Sequence, residues 1–355
     1  MLLTRLQPER HVVPFLAGFS VALLLTSLRM LNSSSGTDES VGSGLLPGGA
    51  PSSTVGAAKT LNPRNLVPRK KVLAVIGVQT GFTVDRSNPK YDYGLRRRAL
   101  RASWFPASPE ELTNLEDARG LVLRFVIGWS PDESAEREIS EESARHGGFM
   151  RLPLQEGYGS LTNKTLTFFR LVTQLYDAEY IIKADDDVYL RIDRVPAAIV
   201  QWKDAKADYV GCMKNGPVFT SHLYRWYEPQ HTLLGNTYFT HCWGTIYALS
   251  GRAASMLCSL DPATLRYFAN EDVTVGSWML GLKVQHFDDR RLCSPECNEA
   301  SIAIYDYPKC AGLCDPANSL ERLHASSACH AQATFPDGTL LMLPAGYEFL
   351  PLDHD

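Results

Sequence analysis

Two clusters of acidic residues have the types and spacing to do chemistry. The first is the run Asp185-Asp186-Asp187, and the second is the pair Glu271-Asp272. Adjacent carboxylates repel one another strongly unless a cation neutralises them. Their oxygens suit hard divalent ions such as Mg²⁺ or Mn²⁺, which bridge to phosphate oxygens. The triplet therefore predicts a metal site for a phosphorylated ligand. The alternative is an acidic surface turn without a binding function.

The position of the triplet favours the metal site. It follows the apolar, strand-like residues 180–182 and precedes the apolar residues 188–190. Because side chains alternate along an extended segment, we expect Asp185 and Asp187 to point the same way. One carboxylate would bind the metal, and the other would hold a ribose or a metal-bound water.

The second cluster has two interpretations. Residues 273–280 have a helical apolar pattern, so Asn270 is a candidate N-cap and the two acids would sit in the first turn, where the helix dipole favours them. The functional interpretation is that one of the two carboxylates is a general base close to the metal site. The residues alone leave both interpretations open.

The pattern around these clusters predicts the elements that must position them. Apolar runs predict strands at residues 72–78, 121–128, 149–154 and 180–182, and helical patterns occupy residues 95–101, 133–145 and 161–176. Alternating strands and helices predict an α/β fold with a mostly parallel sheet flanked by helices. In such sheets ligands bind at the carboxyl ends of the strands, which is where the triplet falls.

The N-terminus predicts the compartment. Residues 12–28 carry no charge and are preceded by Arg5 and Arg10, which predicts an uncleaved transmembrane signal anchor after a cytosolic tail at 1–11. A cleaved signal peptide is the alternative. Residues 29–69 are predicted to be a flexible stalk, 70–315 the catalytic domain and 316–355 a C-terminal tail.

Composition supports a secreted or luminal enzyme. A net charge of −4 gives no sign of nucleic-acid binding. All eight cysteines lie at or beyond residue 212, and in an oxidising compartment they favour disulfides over a zinc site formed by residues 293–314. Asn32 and Asn163 begin N-glycosylation sequons whose occupancy is not expected.

Four motifs in order resemble glycosyltransferase family 31, the β-1,3-galactosyltransferase-like enzymes. They are Arg-Arg-Ala-Leu-Arg-Ala-Ser-Trp at 97–104, Lys-Ala-Asp-Asp-Asp-Val-Tyr at 183–189, Gly-Thr-Ile-Tyr-Ala-Leu-Ser at 244–250 and Asn-Glu-Asp-Val-Thr-Val-Gly at 270–276. Residues 211–218 and 226–229, with the late cysteine pairs, look most similar to the plant and algal branch. The resemblance implies a GT-A (Rossmann-like) fold and an inverting transfer of a hexose from a UDP-sugar to a glycan or glycoprotein acceptor. UDP-galactose, Mn²⁺, a β-1,3 linkage and a single-pass type II Golgi membrane protein are the further expectations.

The resemblance also assigns roles residue by residue. It makes Asp272 the catalytic base with Glu271 in support. The implied metal ligands are Asp187, Asp185 and His286, and the implied nucleotide-sugar contacts are Asp185, Asp186, Arg98, Arg101 and Trp104. A single displacement needs no covalent nucleophile, so the cysteines are left with a disulfide role, with Cys212–Cys242 a plausible pair. A β-1,3-N-acetylglucosaminyltransferase and a non-catalytic glycan-binding relative are the alternatives.

Overall fold

The computed structural model describes residues 68–88 and 90–330, all within one compact unit, residues 64–355. The strands are β1 Lys70–Gln79, β2 Leu121–Trp129, β3 Phe149–Gln155, β4 Tyr176–Asp185, β5 Tyr189–Leu190, β6 Tyr209–Lys214, β7 His241–Ser250, β8 His286–Asp288 and β9 Ala303–Ile304. The helices are α1 Tyr93–Arg101, α2 Pro109–Arg119, α3 Glu133–His146, α4 Leu161–Leu175, α5 Val195–Asp204, α6 Gly251–Ser259, α7 Glu271–Gly281, α8 Pro316–Ala325 and α9 Ser327–His330.

The central sheet has seven strands in the order β3-β2-β1-β4-β7-β6-β8. The strands β3, β2, β1 and β4 run parallel to one another, and β8 runs parallel to β6. The strand β7 is antiparallel to both of its neighbours, β4 and β6. The prediction of a mostly parallel sheet flanked by helices is confirmed. Strands β5 and β9 form a separate antiparallel pair.

Each face of the sheet is covered by helices because the central strands are apolar on both sides. In β1, Ile76 and Val78 belong to the core that includes Trp104 and Leu320, whereas Val75 belongs to the core that includes Phe168. This two-sided burial explains why the strand is a continuous apolar run rather than an alternating one. The same burial sets where the strand ends, because polar residues replace the apolar ones there.

One helix of the parallel half is absent from the predicted elements. Helix α2 begins after the N-cap Ser108, whose side chain accepts a hydrogen bond from the amide of Glu111, and it ends at Gly120 with φ 62°. The sequence carried these signals, a serine and a proline at the start and a glycine at the end. Its apolar periodicity is weak because Leu112 is its one buried residue.

The predicted cysteine pair is wrong. The disulfides are Cys212–Cys293, Cys297–Cys329 and Cys310–Cys314, and among the described residues Cys242 and Cys258 are unpaired. Cys212 and Cys242 lie on adjacent strands but in the cores of opposite faces of the sheet, so they cannot bond. The preference for disulfides over zinc is confirmed.

Helical structure continues beyond residue 315, where the C-terminal tail was predicted to begin. Helices α8 and α9 follow it, Leu320 is fully buried, and the Cys297–Cys329 disulfide holds α9 to the domain. The predicted tail at 1–11, the anchor at 12–28, nearly all of the stalk and Asn32 lie outside the described residues, as do residues 331–355. Within the described part of the chain, no helix combines the length and apolarity that crossing a bilayer requires.

Candidate active site

The acidic triplet lies where β4 ends. Asp185 is the last residue of the strand and lies beside Gln79, the last residue of the parallel strand β1. Asp186 and Asp187 already belong to a turn. The expectation that Asp185 and Asp187 alternate along one extended segment is therefore wrong, because the extended backbone stops at Asp185. The three carboxylates have three different environments.

Asp186 is a buried structural acid. Its Oδ1 accepts a hydrogen bond from Arg96 at 2.7 Å, and its Oδ2 accepts one from the Thr80 hydroxyl at 2.8 Å. Burial opposes the charge on Arg96, but Asp186 and Asp187 outweigh it and raise the pKa of that guanidinium. Because both oxygens of Asp186 are bound to protein groups, this carboxylate holds the turn to β1 and α1.

Asp187 is the acid of the triplet that can still bind a ligand. Its Oδ1 is buried and makes no hydrogen bond to any described residue, and its Oδ2 lies 3.4 Å from Arg96. Burial, with the neighbouring charge of Asp185, raises the pKa of Asp187 to about 7. A buried carboxylate oxygen without a partner is costly, and a bound cation would remove that cost.

A short disulfide-closed turn packs directly on Asp187. The amide of Leu313 donates to the backbone carbonyl of Asp187 at 2.7 Å. Any side chain at Gly312 would overlap the Asp187 carboxylate. The Cys310–Cys314 disulfide closes this turn, and the carbonyl of Ala311 accepts a hydrogen bond from the Thr245 hydroxyl. The turn and Arg96 therefore both restrain the position of Asp187.

Asp185 connects the triplet to the second acidic cluster through Lys183. The ammonium of this buried lysine donates to Asp185 and to the carbonyl of Gly244. Burial raises the pKa of Asp185 despite the attraction of Lys183. For Lys183 itself, burial is outweighed by Asp185 and Glu271, so its pKa is raised and the lysine is charged. One buried cation thus serves both clusters.

The second cluster occupies the first turn of α7. Glu271 is buried and accepts a hydrogen bond from the Tyr247 hydroxyl at 2.6 Å, and burial raises its pKa. Asp272 accepts one from Lys214 at 2.7 Å, and the Nε2 of His241 lies 3.8 Å away. Burial acts to raise the pKa of Asp272, but Lys214 and His241 outweigh it and hold that pKa below its usual value. Asp272 is therefore ionised and available as a base.

Asp185 of the triplet and both acids of the second cluster line one cavity of about 1070 Å³, whereas Asp186 and Asp187 are not among its lining residues. Its polar lining includes Asp185, Lys183, Lys214, His241, Glu271 and Asp272, and its aromatic lining includes Phe219, Trp226, Tyr238, Trp243, Tyr267 and Phe268. Asn163, exposed in the first turn of α4, and Ala311 also line it. A cavity that combines a metal-competent acid with an ionised base is suited to group transfer between two bound substrates.

The triplet fits a divalent cation. Asp185 and Asp187 provide oxygen ligands, and within the described ranges no group of three or more His, Cys, Asp or Glu residues is placed to bind a metal. Mg²⁺ and similar ions are commonly held by one or two carboxylates with the remaining ligands from substrate phosphates and water. A site completed by the phosphates of a ligand agrees with this donor set.

Four predicted site residues lie elsewhere. Arg98 is exposed, Arg101 forms an ion pair with Glu142, and the Trp104 indole donates to the carbonyl of Val188 at 2.9 Å behind the triplet. His286 begins β8 and packs edge-on against Tyr209 at the start of β6. The cavity lies at the other end of β6, so the structure does not bring His286 to the triplet.

The residues that contact the acids instead were not predicted from the sequence. Arg96 binds the triplet, and Lys214 and His241 border Asp272. Helical spacing contained the signal for Arg96, because residues 96, 100 and 104 share one face and Leu100 and Trp104 are apolar. No local pattern identified Lys214 or His241, which come together only through the pairing of β6 with β7.

Comparisons with known proteins agree on a family. Residues 95–290 match the family model described as Galactosyltransferase. The chain is 45% identical over 271 residues to "Probable beta-1,3-galactosyltransferase 12" of Arabidopsis thaliana, covering 76% of this chain and 71% of the relative. It is also 45% identical over 270 residues to "Probable beta-1,3-galactosyltransferase 13" of the same plant, covering 76% of each. A solved structure of the inositol-1-phosphate CTP transferase from T. maritima aligns over 73% of this chain and 98% of its own chain. The sequence identity is 12% and the TM-score is 0.34, so the similarity is distant.

Proposed function

Because the chain belongs to the Galactosyltransferase family, we propose that it transfers galactose from UDP-galactose to a glycan or glycoprotein acceptor in a β-1,3 linkage, with inversion. The observation that carries this proposal is a single cavity that contains both Asp185, beside the metal-competent Asp187, and the ionised Asp272. The names of the two Arabidopsis relatives support galactose as the transferred sugar. The strand order, with the triplet at the carboxyl end of β4 beside that of β1, supports the GT-A fold.

The donor binds at the triplet in this proposal. Asp187 and Asp185 would hold Mn²⁺, which supplies charge neutralisation for the departing diphosphate. Arg96 and the Cys310–Cys314 turn keep Asp187 in place from two sides. Asp186 is committed to Arg96 and Thr80, so it acts as the structural member of the triplet rather than a ribose contact.

Asp272 accepts the acceptor proton. The acceptor oxygen forms a bond to the anomeric carbon, the bond from that carbon to the diphosphate oxygen breaks, and the hydroxyl proton passes to the carboxylate of Asp272. Lys214 keeps that carboxylate ionised before the reaction. Glu271, bound to Tyr247 and close to Lys183, holds the start of α7 in place. A positioned base of this kind contributes about 10²–10⁴ to the rate.

The compartment belongs to the same proposal. Three disulfides support an oxidising environment such as the secretory pathway. A type II Golgi membrane protein with a luminal catalytic domain would expose the cavity to sugar nucleotides and glycan acceptors there. The uncharged residues 12–28 support the anchor.

A donor screen tests the proposal. The purified protein is incubated with UDP-galactose, UDP-N-acetylglucosamine or UDP-glucose and methyl β-galactoside, with Mn²⁺ or with EDTA, and UDP release is measured. We expect acceptor-dependent release from UDP-galactose that EDTA abolishes. Preferential use of UDP-N-acetylglucosamine would make the protein the alternative transferase. No acceptor-dependent UDP release from any of the three donors would favour the non-catalytic glycan-binding relative.

A further inference from the structure

Residues 215–240, which connect β6 to β7, carry an exposed apolar surface. Five consecutive residues, 222–226, are all exposed. Among them Leu223, Tyr224 and Trp226 are 84%, 58% and 48% exposed. The Phe219 ring joins them, with its centroid 5.4 Å from that of Tyr224 and 5.7 Å from that of Trp226. We call the three rings of Phe219, Tyr224 and Trp226 the aromatic platform.

The platform stands on a firmly anchored base. Glu228 is fully buried, and its carboxylate accepts hydrogen bonds from the amides of Ala269 at 2.8 Å and Gln230 at 3.0 Å. Its own amide donates to the carbonyl of Phe219 at 2.9 Å. Charge burial of this kind is costly without such partners. The anchored base therefore presents the apolar side chains to solvent in a defined arrangement.

The buried Glu228 connects the platform to the segment that carries the proposed catalytic base, Asp272. Ala269 lies three residues before Asp272, and Gln230 also donates to the carbonyl of Tyr267 at 2.6 Å. Val218 and Phe268 share a small apolar core with Val273, the residue after Asp272. The platform and the base thus belong to one packed unit, so a molecule held on the platform is held in register with Asp272.

The platform borders the active-site cavity on its acceptor side. Phe219 and Trp226 line the same cavity as Asp272. In the sheet, β4 carries the triplet, and β7 and then β6 lie on the far side of it from β1 and β2. Because residues 215–240 connect β6 to β7, the platform lies on the side of the cavity away from the proposed nucleotide site.

The chemistry of the platform fits a saccharide. A pyranose has an apolar face of C–H groups and a rim of hydroxyls, and aromatic rings offer a flat apolar surface with a negative face that attracts C–H groups. Ligand sites combine such aromatic walls with a few convergent polar groups. Here Trp226 provides the wall, and Asp272 and Lys214 are the polar groups inside the cavity.

We propose that the aromatic platform binds the acceptor saccharide, and that Trp226 stacks on the sugar unit next to the one that receives galactose. This inference rests on the proposed function. Trp226 lines the cavity yet is about half exposed, so it lies at the mouth and not beside the reacting hydroxyl. The unit that reacts occupies the interior beside Asp272, and the second unit contacts Trp226. The acceptor is therefore at least a disaccharide.

Steady-state kinetics with two acceptors test the platform. UDP-galactose is the donor, and methyl β-galactoside and methyl β-1,3-galactobioside are the acceptors. In Trp226→Ala we expect the KM for the disaccharide to rise about 3–10-fold, the size of one aromatic contact. The KM for the monosaccharide and the KM for UDP-galactose should stay unchanged. Trp226→Phe should restore most of the disaccharide preference.

A matched control separates stacking from a general loss of an indole. Trp129 at the end of β2 is 44% exposed, similar to Trp226, and is not among the cavity-lining residues. Trp129→Ala should leave all three KM values unchanged. Equal kinetic constants for Trp226→Ala and the wild type would overturn the platform, as would an equal rise in KM for both acceptors.

Saturation-transfer NMR with methyl β-1,3-galactobioside separates this inference from the proposed function. The experiment needs no donor, so it reports on the platform even where UDP-galactose is not used. A signal that Trp226→Ala removes supports the platform, whatever the donor proves to be. A wild-type protein that transfers galactose but gives a signal independent of Trp226 keeps the proposed function and loses the platform. A wild type that gives no signal also overturns the platform.

Discussion

The two sides of the cavity are built in opposite ways. On the donor side, two buried charges and one closed turn hold the triplet: Arg96 on Asp186, Lys183 on Asp185 and the Cys310–Cys314 turn on Asp187. On the acceptor side, residues 222–226 are exposed, and the rings of Tyr224 and Trp226 contact that of Phe219. The donor side is a network in which most side chains have charged partners, and the acceptor side is an open surface on an anchored base.

Under the proposed function, the difference follows from what each substrate would require. A sugar nucleotide carries charge, so its site must hold several like charges close together, which buried partners and covalent closure make possible. A saccharide acceptor of the kind proposed would present the apolar face of a sugar ring, to which a wall of aromatic rings on a connecting segment is suited. The contrast predicts that substitutions on the two sides change different kinetic constants.

The largest effect is expected at Asp272, which lies between the two sides. Asp272→Asn preserves the shape but removes the base, so transfer should fall by about 10²–10⁴ while UDP binding stays unchanged. Single-turnover transfer and calorimetric titration with UDP measure the two quantities. Asp261→Asn is the control, because Asp261 is an exposed N-cap outside the cavity. Transfer by Asp272→Asn at near the wild-type rate would remove Asp272 as the base.

A smaller and purely donor-side effect is expected at Asp187. Asp187→Ala removes the carboxylate whose oxygen lacks a partner among the described residues, so UDP binding in Mn²⁺ should weaken by about 10²-fold. Binding of methyl β-1,3-galactobioside should not change. Asp193→Ala, at an exposed acid six residues later, is the matched control. UDP affinity that is equal in Asp187→Ala and the wild type would disprove the metal assignment and remove the donor side from the comparison.

Much of the fold was predictable because its signals are local. The buried strands at 72–78 and 121–128 are continuous apolar runs, and both are central strands of the sheet. The triplet was predictable for the same reason, since it stands directly after such a strand. The disulfide pairing was not predictable, because it depends on which face of the sheet each cysteine occupies.

The partners of the acids were less predictable because they are distant in sequence. Arg96 lies 90 residues before Asp186, and Arg98, two positions further along α1, is exposed on the helix instead. The motif identified the correct helix but the wrong face. Lys214 reaches Asp272 only because β6 and α7 end at the same cavity. His286 was predicted to bind the metal, but the structure places it at the start of β8. A residue there cannot reach ligands at the other end of the strands.

The smallest effect, a shift in pH dependence, is expected at Lys214. Its ammonium lies 2.7 Å from Asp272 and 4.0 Å from the centre of the Trp243 ring, so it borders both the base and the aromatic wall. In the wild type, Lys214 and His241 hold the pKa of Asp272 below its usual value against the effect of burial. In Lys214→Met burial acts with less opposition, so the pKa of Asp272 should rise.

The sign of the shift is fixed by the role of a base. A carboxylate accepts a proton only when ionised, so activity is lost as the pH falls through its pKa. The acidic limb of the profile of kcat/KM against pH should therefore move to higher pH in Lys214→Met, because removing a close opposite charge raises the pKa of a carboxylate. Lys214→Arg should keep the wild-type limb, and Lys203→Met, at an exposed lysine paired with Glu179, should also leave it in place. The acidic limb could instead stay at its wild-type pH in Lys214→Met while the activity at higher pH is reduced. That result would mean that Lys214 binds substrate and that another group keeps Asp272 ionised.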